Sequence, residues 1–240
     1  MRIRFIILLL LITTPSLWGA GTGAYRLGER IAIANDGGGE ITCTITPDPA
    51  PLELPLDVPF DRGIPNGRIC SSDSSVSVEY RVQNGIPVLH VTGERSSADP
   101  LVITVRVDTL PAWQGLKAGE FGNRTVTLIF RTTTPRRISG YTGALIVPAG
   151  FTVTSVVSSE PAQTDKEPAA PFTIFEEDGR AGISIHRADL GLSDVAQVTV
   201  RIKPAHHSPV LLICCSIVGV LYLIFFRNVL KDNGNGSPAA

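Results

Sequence analysis

Alternation of apolar and polar residues, broken at short intervals by Gly, Pro, Asn and Asp, constrains this chain more than any other feature. In SVSVEYRV (75–82), Val76, Val78, Tyr80 and Val82 share one side, while Ser75, Ser77, Glu79 and Arg81 share the other. The same period groups Ile103 with Val105 and Val107, and Val126 with Leu128 and Phe130. It also groups Ile183 with Ile185, and Val198 with Val200 and Ile202. Successive side chains of a strand point to opposite faces, so a period of two marks a strand with one face on a core. Val, Ile, Thr and aromatic residues fill these runs, as strands prefer. Between them lie NDGGG (35–39), IPNGR (64–68), QNG (83–85), VPAG (147–150) and EEDG (176–179), each a turn former with a mechanism in Gly or Pro backbone geometry. No stretch between the two ends shows a helical stripe. The pattern predicts an all-β fold of antiparallel strands in one or two Ig-like or jelly-roll-type β-sandwiches.

TLPAWQGLKAGEFGN (109–123) shows no alternation and carries Pro and three Gly, so it marks a boundary. The expected division is an N-terminal sandwich at 23–110 and a C-terminal sandwich at 111–205, with a single large sandwich as the alternative. TPDPAPLELPLDVPFD (46–61) carries five prolines, which lack the N–H a ladder needs. It is expected to be an extended loop or an edge segment.

The two ends differ from the middle. Residues 1–22 read as a secretory signal peptide: Arg2 and Arg4, then an apolar run from Phe5 to Ile12, then Pro15 and small residues. Near the other end, Ser208 to Phe226 holds 19 residues without a charge. As a helix at ~1.5 Å per residue this is about 28 Å, close to a hydrocarbon core of about 30 Å. A transmembrane helix is therefore expected at 208–227, followed by a short polar cytoplasmic tail at 228–240. Arg227 and Lys231 on one side balance Arg201 and Lys203 on the other, so the flanking charges set no orientation. The signal peptide does, placing the bulk of the chain on the extracytoplasmic side. Cys214 and Cys215 fall inside the apolar run, where Cys behaves as a small hydrophobe.

The formal net charge is −1 and no basic cluster occurs, which excludes a nucleic-acid-binding reading. In an oxidising compartment the pair Cys43 and Cys70 is expected to form one disulfide. It would close a loop of about 27 residues around the proline-rich excursion, with a chain-entropy contribution of about 3–4 kcal/mol. Free thiols are the alternative.

Catalytic and metal motifs are sparse. G-x-S-x-G, G-x-x-x-x-G-K, H-E-x-x-H and C-x-x-C-H are all missing from the sequence. His90 and His186 fall at strand positions, and His206 and His207 adjoin the apolar run. Glu176, Glu177 and Asp178 precede a Gly as a solvated hairpin turn would, and Arg136 and Arg137 stand together. Asn123-Arg124-Thr125 and Asn235-Gly236-Ser237 are glycosylation sequons. No catalytic, cofactor or metal residue is assigned.

RTVTLIFRTTTPRRISGYTGALIVPAGFTVTSVVSS followed by GRAGISIHRADLGLSDVAQVTVRI resembles the cohesin-like β-sandwich family over residues 119–203. The matching positions are Gly140, Tyr141, Phe151, Val153, Ser155, Val156, Gly191, Leu192 and Ser193. The family's Y-D-P after the GY strand is replaced here by IVPAG. The resemblance implies a binding or scaffolding module without catalysis. The expected function is thus a non-catalytic, membrane-anchored extracytoplasmic protein that presents β-sandwich surfaces to a protein or surface-polymer partner. The alternatives are an accessory subunit of a larger membrane complex and, last, a metal-dependent enzyme.

Overall fold

The alternating runs form strands in the computed structural model, which describes residues 23–48, 51–113, 123–160, 171–205 and 209–234. The signal-peptide segment 1–22, His206 and His207 lie outside the described residues. The strands are β1 Ala24–Ile33, β2 Gly39–Asp48, β3 Leu56–Pro59, β4 Cys70–Ser71, β5 Val76–Gln83, β6 Ile86–Gly93 and β7 Leu101–Val107. They continue with β8 Arg124–Arg131, β9 Ile138–Ile146, β10 Phe151–Glu160, β11 Phe172–Glu177, β12 Arg180–Leu190 and β13 Val195–Pro204. One helix, α1, runs from Pro209 to Gly234.

A seven-stranded sheet has the order β11-β12-β9-β1-β2-β7-β4, and two three-stranded sheets have the orders β10-β13-β8 and β3-β6-β5. Their inward rows meet in one hydrophobic core. Leu27, Ile31, Ile41, Ile103 and Leu145 of the large sheet join Val126, Leu128, Val198 and Val200 of one small sheet and Val58, Leu89 and Val91 of the other. Each such side chain removed from water contributes about 1.5–3 kcal/mol, which is why the alternating pattern governs the architecture. The inward rows expected at 103–107, 126–130, 183–185 and 198–202 are all buried. Val82, expected inward, is instead 60% exposed beside the hairpin turn.

Three sequence expectations are corrected by this arrangement. First, 23–110 and 111–205 do not make separate sheets. β1, β2, β4 and β7 of the first stretch share the large sheet with β9, β11 and β12 of the second. The described residues up to Pro204 form a single compact unit, as in the single-sandwich alternative. β7 belongs to the large sheet and β8 to a small one, and a sequence that joins two sheets has the same turn-rich composition as a linker. Second, the seam between the halves is parallel: β1 pairs β9 with Leu27 opposite Tyr141 and Ile31 opposite Leu145, whereas the other ladders are antiparallel. So long a connection between β1 and β9 leaves direction free, unlike a tight hairpin.

Third, Cys43 and Cys70 are free thiols. β2 and β4 flank β7 on opposite sides, with Cys43 opposite Ile103 and Cys70 opposite Thr104. Adjacent β7 residues face opposite ways, so the two cysteines sit on opposite faces, one buried and one exposed. Two strand spacings put their backbones about 9–10 Å apart, beyond the ~7 Å a disulfide spans. The proline-rich excursion is held otherwise. β3 lies at the edge of its sheet and pairs only with β6, the place where proline is tolerated.

The Asn84-Gly85 and Asp178-Gly179 turns close the β5–β6 and β11–β12 hairpins. All four residues have positive φ, between 52° and 80°, the geometry of a two-residue turn that matches strand twist.

The helix α1 is a separate unit. Its side chains from Ile213 to Arg227 are all exposed, and Tyr222 stacks on Phe226 one turn later with ring centres 5.7 Å apart. Among the described residues no helix is long and apolar enough to cross a membrane. The expected helix is present, but the span itself is not shown.

Candidate functional site

The inward row of β1 reads Tyr25, Leu27, Glu29, Ile31, Ile33, so a carboxylate occupies a core position in an otherwise hydrophobic strand. Glu29 is only 4% exposed. A buried carboxylate is costly unless it is paired and hydrogen-bonded, and here it is both. Arg62, from the segment after β3, donates Nε to Glu29 Oε1 at 2.7 Å and Nη2 to Oε2 at 2.6 Å. The Tyr141 hydroxyl on β9 donates to Oε2 at 2.8 Å. The remaining Arg62 nitrogen, Nη1, donates to the Ile129 carbonyl on β8. One guanidinium therefore ties the segment leaving the β3-β6-β5 sheet to β1 of the large sheet and to β8 of the other small sheet. Its planar fork suits this bidentate role.

The electrostatics agree with the geometry. Burial works against the Arg62 charge, but the Glu29 carboxylate outweighs it and raises the pKa above the usual arginine value. Burial, then Glu29, pushes the Tyr141 hydroxyl well above an ordinary phenol. The buried Cys43 thiol is pushed up first by burial and then by the Glu29 charge, so it is not a thiolate nucleophile. The Tyr141 ring stacks on Phe130 with centres 4.1 Å apart and planes 16° from parallel.

Outside this pair lies a cleft of about 300 Å³. Phe60, Ile86, Pro87 and Ile129 give it an apolar wall, Glu29 and Arg62 form part of its lining, and Asp61, Arg131 and Thr133 add polar groups. Asp61 and Arg131 are exposed. The Thr133 hydroxyl is buried with no hydrogen-bond partner among the described residues. Chemically this is a receptacle for a small amphipathic group. Each nitrogen and oxygen of the Glu29–Arg62 pair has at least one hydrogen-bond partner, so the pair supplies rigidity to one wall of the cleft.

The residues singled out from the sequence do not converge here. His90 Nδ1 lies 2.6 Å from Asp57 Oδ1 as a cross-strand pair between β6 and β3. His186 is exposed, 3.1 Å from the Thr142 hydroxyl. Glu177 accepts Nε of Arg30 at 3.0 Å, which uses one acid of the EEDG turn. Asp36 accepts the Gly38 N–H at 3.0 Å and so shapes the NDGGG turn. Arg136 reaches the Glu53 carbonyl at 2.7 Å and pins the proline-rich excursion. Arg137 forms a fork with the Asp189 carboxylate at the surface, which holds that carboxyl below its usual range. Among the described residues no group of three or more His, Cys, Asp or Glu could hold a metal ion. Of the positions carrying the cohesin-like resemblance, only Tyr141 takes part in the buried polar cluster. Gly140 lies beside it on β9, Phe151, Val153, Ser155 and Val156 are on β10, and Gly191, Leu192 and Ser193 form the β12–β13 turn.

Glu29 and Arg62 were not singled out from the sequence. Glu29 was within reach: AYRLGERIAI alternates, and the apolar phase Tyr25, Leu27, Ile31, Ile33 runs through it. Arg62 lies in a segment with no period, and nothing local sets it apart from a solvated arginine.

No family model matches the chain, and no curated protein matches it. Among solved structures, the M1 zinc metallopeptidase from Deinococcus radiodurans is similar over 75% of this chain and 42% of its own, at 12% identity and a TM-score of 0.38. Native leukotriene A4 hydrolase from Saccharomyces cerevisiae is similar over 75% of this chain and 29% of its own, at 9% identity and a TM-score of 0.41. The folded domain of Mycobacterium tuberculosis LppM is similar over 78% of this chain and 94% of its own, at 15% identity and a TM-score of 0.26. The chain thus spans less than half the length of the two hydrolytic enzymes. At these scores the likenesses carry no argument about activity, and none of them bears on the cohesin-like resemblance.

Proposed function

We propose that this chain is a non-catalytic, membrane-anchored binding or scaffolding protein, held by its C-terminal helix and presenting the β unit on the extracytoplasmic side to a macromolecular partner. The observation that carries this reading is the character of α1. Phe225 is 72% exposed, Leu223 68%, Val218 65% and Leu221 60%, and exposed apolar side chains point to every side of the helix. A helix that is apolar all round requires lipid or protein around it. The described side chains 213–227 account for about 22 Å of helix, and the uncharged sequence from Ser208 supplies the rest of a span. The signal-like N-terminus supports export. The buried ion pair, bonded to three elements of the fold, supports a rigid carrier, and the adjoining cleft is the place where a side chain or sugar of a partner would seat.

Alkaline carbonate extraction of membranes containing the full chain tests the anchor. The chain stays with the lipid pellet, and Leu221→Arg, which costs about 2.5–3.5 kcal/mol of insertion at a helix centre, releases a large fraction of it. Release of the unaltered chain into the supernatant would overturn the reading. Stoichiometric partners that persist through purification in mild detergent would favour a subunit of a membrane complex instead.

A further inference from the structure

We infer that the free edge of β5 is an interface between two copies of this chain, pairing antiparallel with β5 of a second copy about a two-fold axis at Tyr80. This goes beyond the anchor reading and concerns the β unit alone. β5 pairs with β6 on one side and with no other strand among the described residues. It runs eight residues, Val76–Gln83, without a proline or a register shift. An edge of this kind is a template for another strand unless something blunts it.

The other sheet edges are blunted. β4 has two residues, and β3 has four and ends at Pro59. β10 is broken by two register shifts. The Ile129 carbonyl of β8 is taken by Arg62. β11 ends in Glu176 and Glu177 and holds no basic residue to face them.

The backbone of β5 is set for pairing. The two-residue turn Asn84-Gly85 makes Gln83 and Ile86 a hydrogen-bonded pair, and bonding to β6 then alternates along the ladder. Ser77, Glu79 and Arg81 therefore turn their N–H and C=O groups toward β6, while Val78, Tyr80 and Val82 turn theirs to the open edge. Two neighbours agree with this phase. Val82 stands opposite Pro87, which has no N–H to give. The Val76 N–H donates to the Asp73 carbonyl at 3.2 Å rather than to β6. A second β5 has to match open groups with open groups, so even-numbered residues face even-numbered ones.

Charge then selects the register. Turned about Tyr80, Glu79 of each copy lies opposite Arg81 of the other, in the non-hydrogen-bonded positions where side chains approach most closely. Turned about Glu79 or Arg81 instead, like charges would meet. Both side chains are exposed, and within each copy Arg81 Nη2 already lies 2.6 Å from Glu79 Oε2. The paired edges thus close a ring of alternating charge. On the other face Val82, 60% exposed, comes opposite Val78 of the second copy, which covers the exposed member of that row. The pairing joins the two β3-β6-β5 sheets into one.

Disulfide trapping tests this on the full chain in detergent, with Cys70, Cys214 and Cys215 changed to Ser and Cys43 left buried. Two differently tagged populations, one carrying Ser77→Cys and the other Gln83→Cys, are mixed and mildly oxidised. In the two-fold register these positions face each other across the copies. Ser77 of one copy lies about 20 Å from Ser77 of the other, beyond the ~7 Å a disulfide spans. The mixed link should therefore exceed the Ser77→Cys self-link by about tenfold or more. Glu79→Arg in both populations should cut the mixed link by about fivefold or more, since like charges then face each other. Glu79→Arg in one population with Arg81→Glu in the other should restore it, because each copy then meets its opposite. No mixed link, mixed and self links of equal yield, or a mixed link indifferent to these charges would each overturn the pairing.

Discussion

Removing the Arg62 guanidinium should be among the most damaging single changes in the β unit. Arg62→Met keeps the length and apolar bulk of the side chain but leaves the Glu29 carboxylate, 2% exposed at its side chain, with the Tyr141 hydroxyl as its one remaining partner among the described residues. It also strips a donor from the Ile129 carbonyl. Breaking a buried ion pair from one side costs about 3–5 kcal/mol, because the stranded charge stays buried. Against a domain stability of about 5–15 kcal/mol this is a large fraction. With a urea dependence of about 2 kcal/mol per molar, the midpoint should fall by about 2 M, read from Trp113 emission of the chain carrying Trp18→Phe, in detergent. Replacing all three groups together, Glu29→Leu, Arg62→Met and Tyr141→Phe, removes the charge as well as its partner. It should return most of the lost stability, since apolar replacement of a buried pair is often neutral or better.

An Arg62→Met protein within about 1 kcal/mol of the parent at neutral pH would refute the argument, because a buried unpaired carboxylate does not come that cheaply.

The thiols give a simple chemical check. Under native conditions Cys70 should react readily with a maleimide, while Cys43, buried and with its thiol pKa pushed up, should react only on unfolding; a Cys43–Cys70-linked peptide in the mass spectrum would contradict this. Gly93 has φ of 126°, and a Cβ there would collide with the Ser75 carbonyl, whereas Gly85 has φ of 80° and open space around it. Gly85→Ala should cost about 1–2 kcal/mol from its left-handed backbone alone and Gly93→Ala clearly more, as measured by urea denaturation; equal costs would show that the β4–β5 loop yields.

What the sequence made legible divides along a physical line. A row such as Val126, Leu128, Phe130 announces its own face because the period is local, and that holds for β7, β8, β12 and β13. Pairing between distant strands leaves no such local trace. The parallel seam of β1 with β9 depends on how two rows over a hundred residues apart fit together, so the turn-rich sequence 109–123 reads as a domain boundary although the strands before and after it share one core. The Cys43–Cys70 expectation failed for the same reason, since β7 comes between their strands and only the register reveals it. Glu29 carried a readable signal in its phase on β1. Arg62 did not, because its role is set by three sheets meeting around it.

The anchored topology is the claim on which the rest depends, and cysteine accessibility in intact cells tests it most directly. With Cys214 and Cys215 changed to Ser, the native Cys70 reports on the β unit and Ser237→Cys reports on the tail. A membrane-impermeant maleimide added to cells, or to spheroplasts where an outer barrier exists, should label Cys70 at once and the tail cysteine only after the membrane is opened. Labelling of the tail from outside, or of neither cysteine until the membrane is opened, would contradict the account.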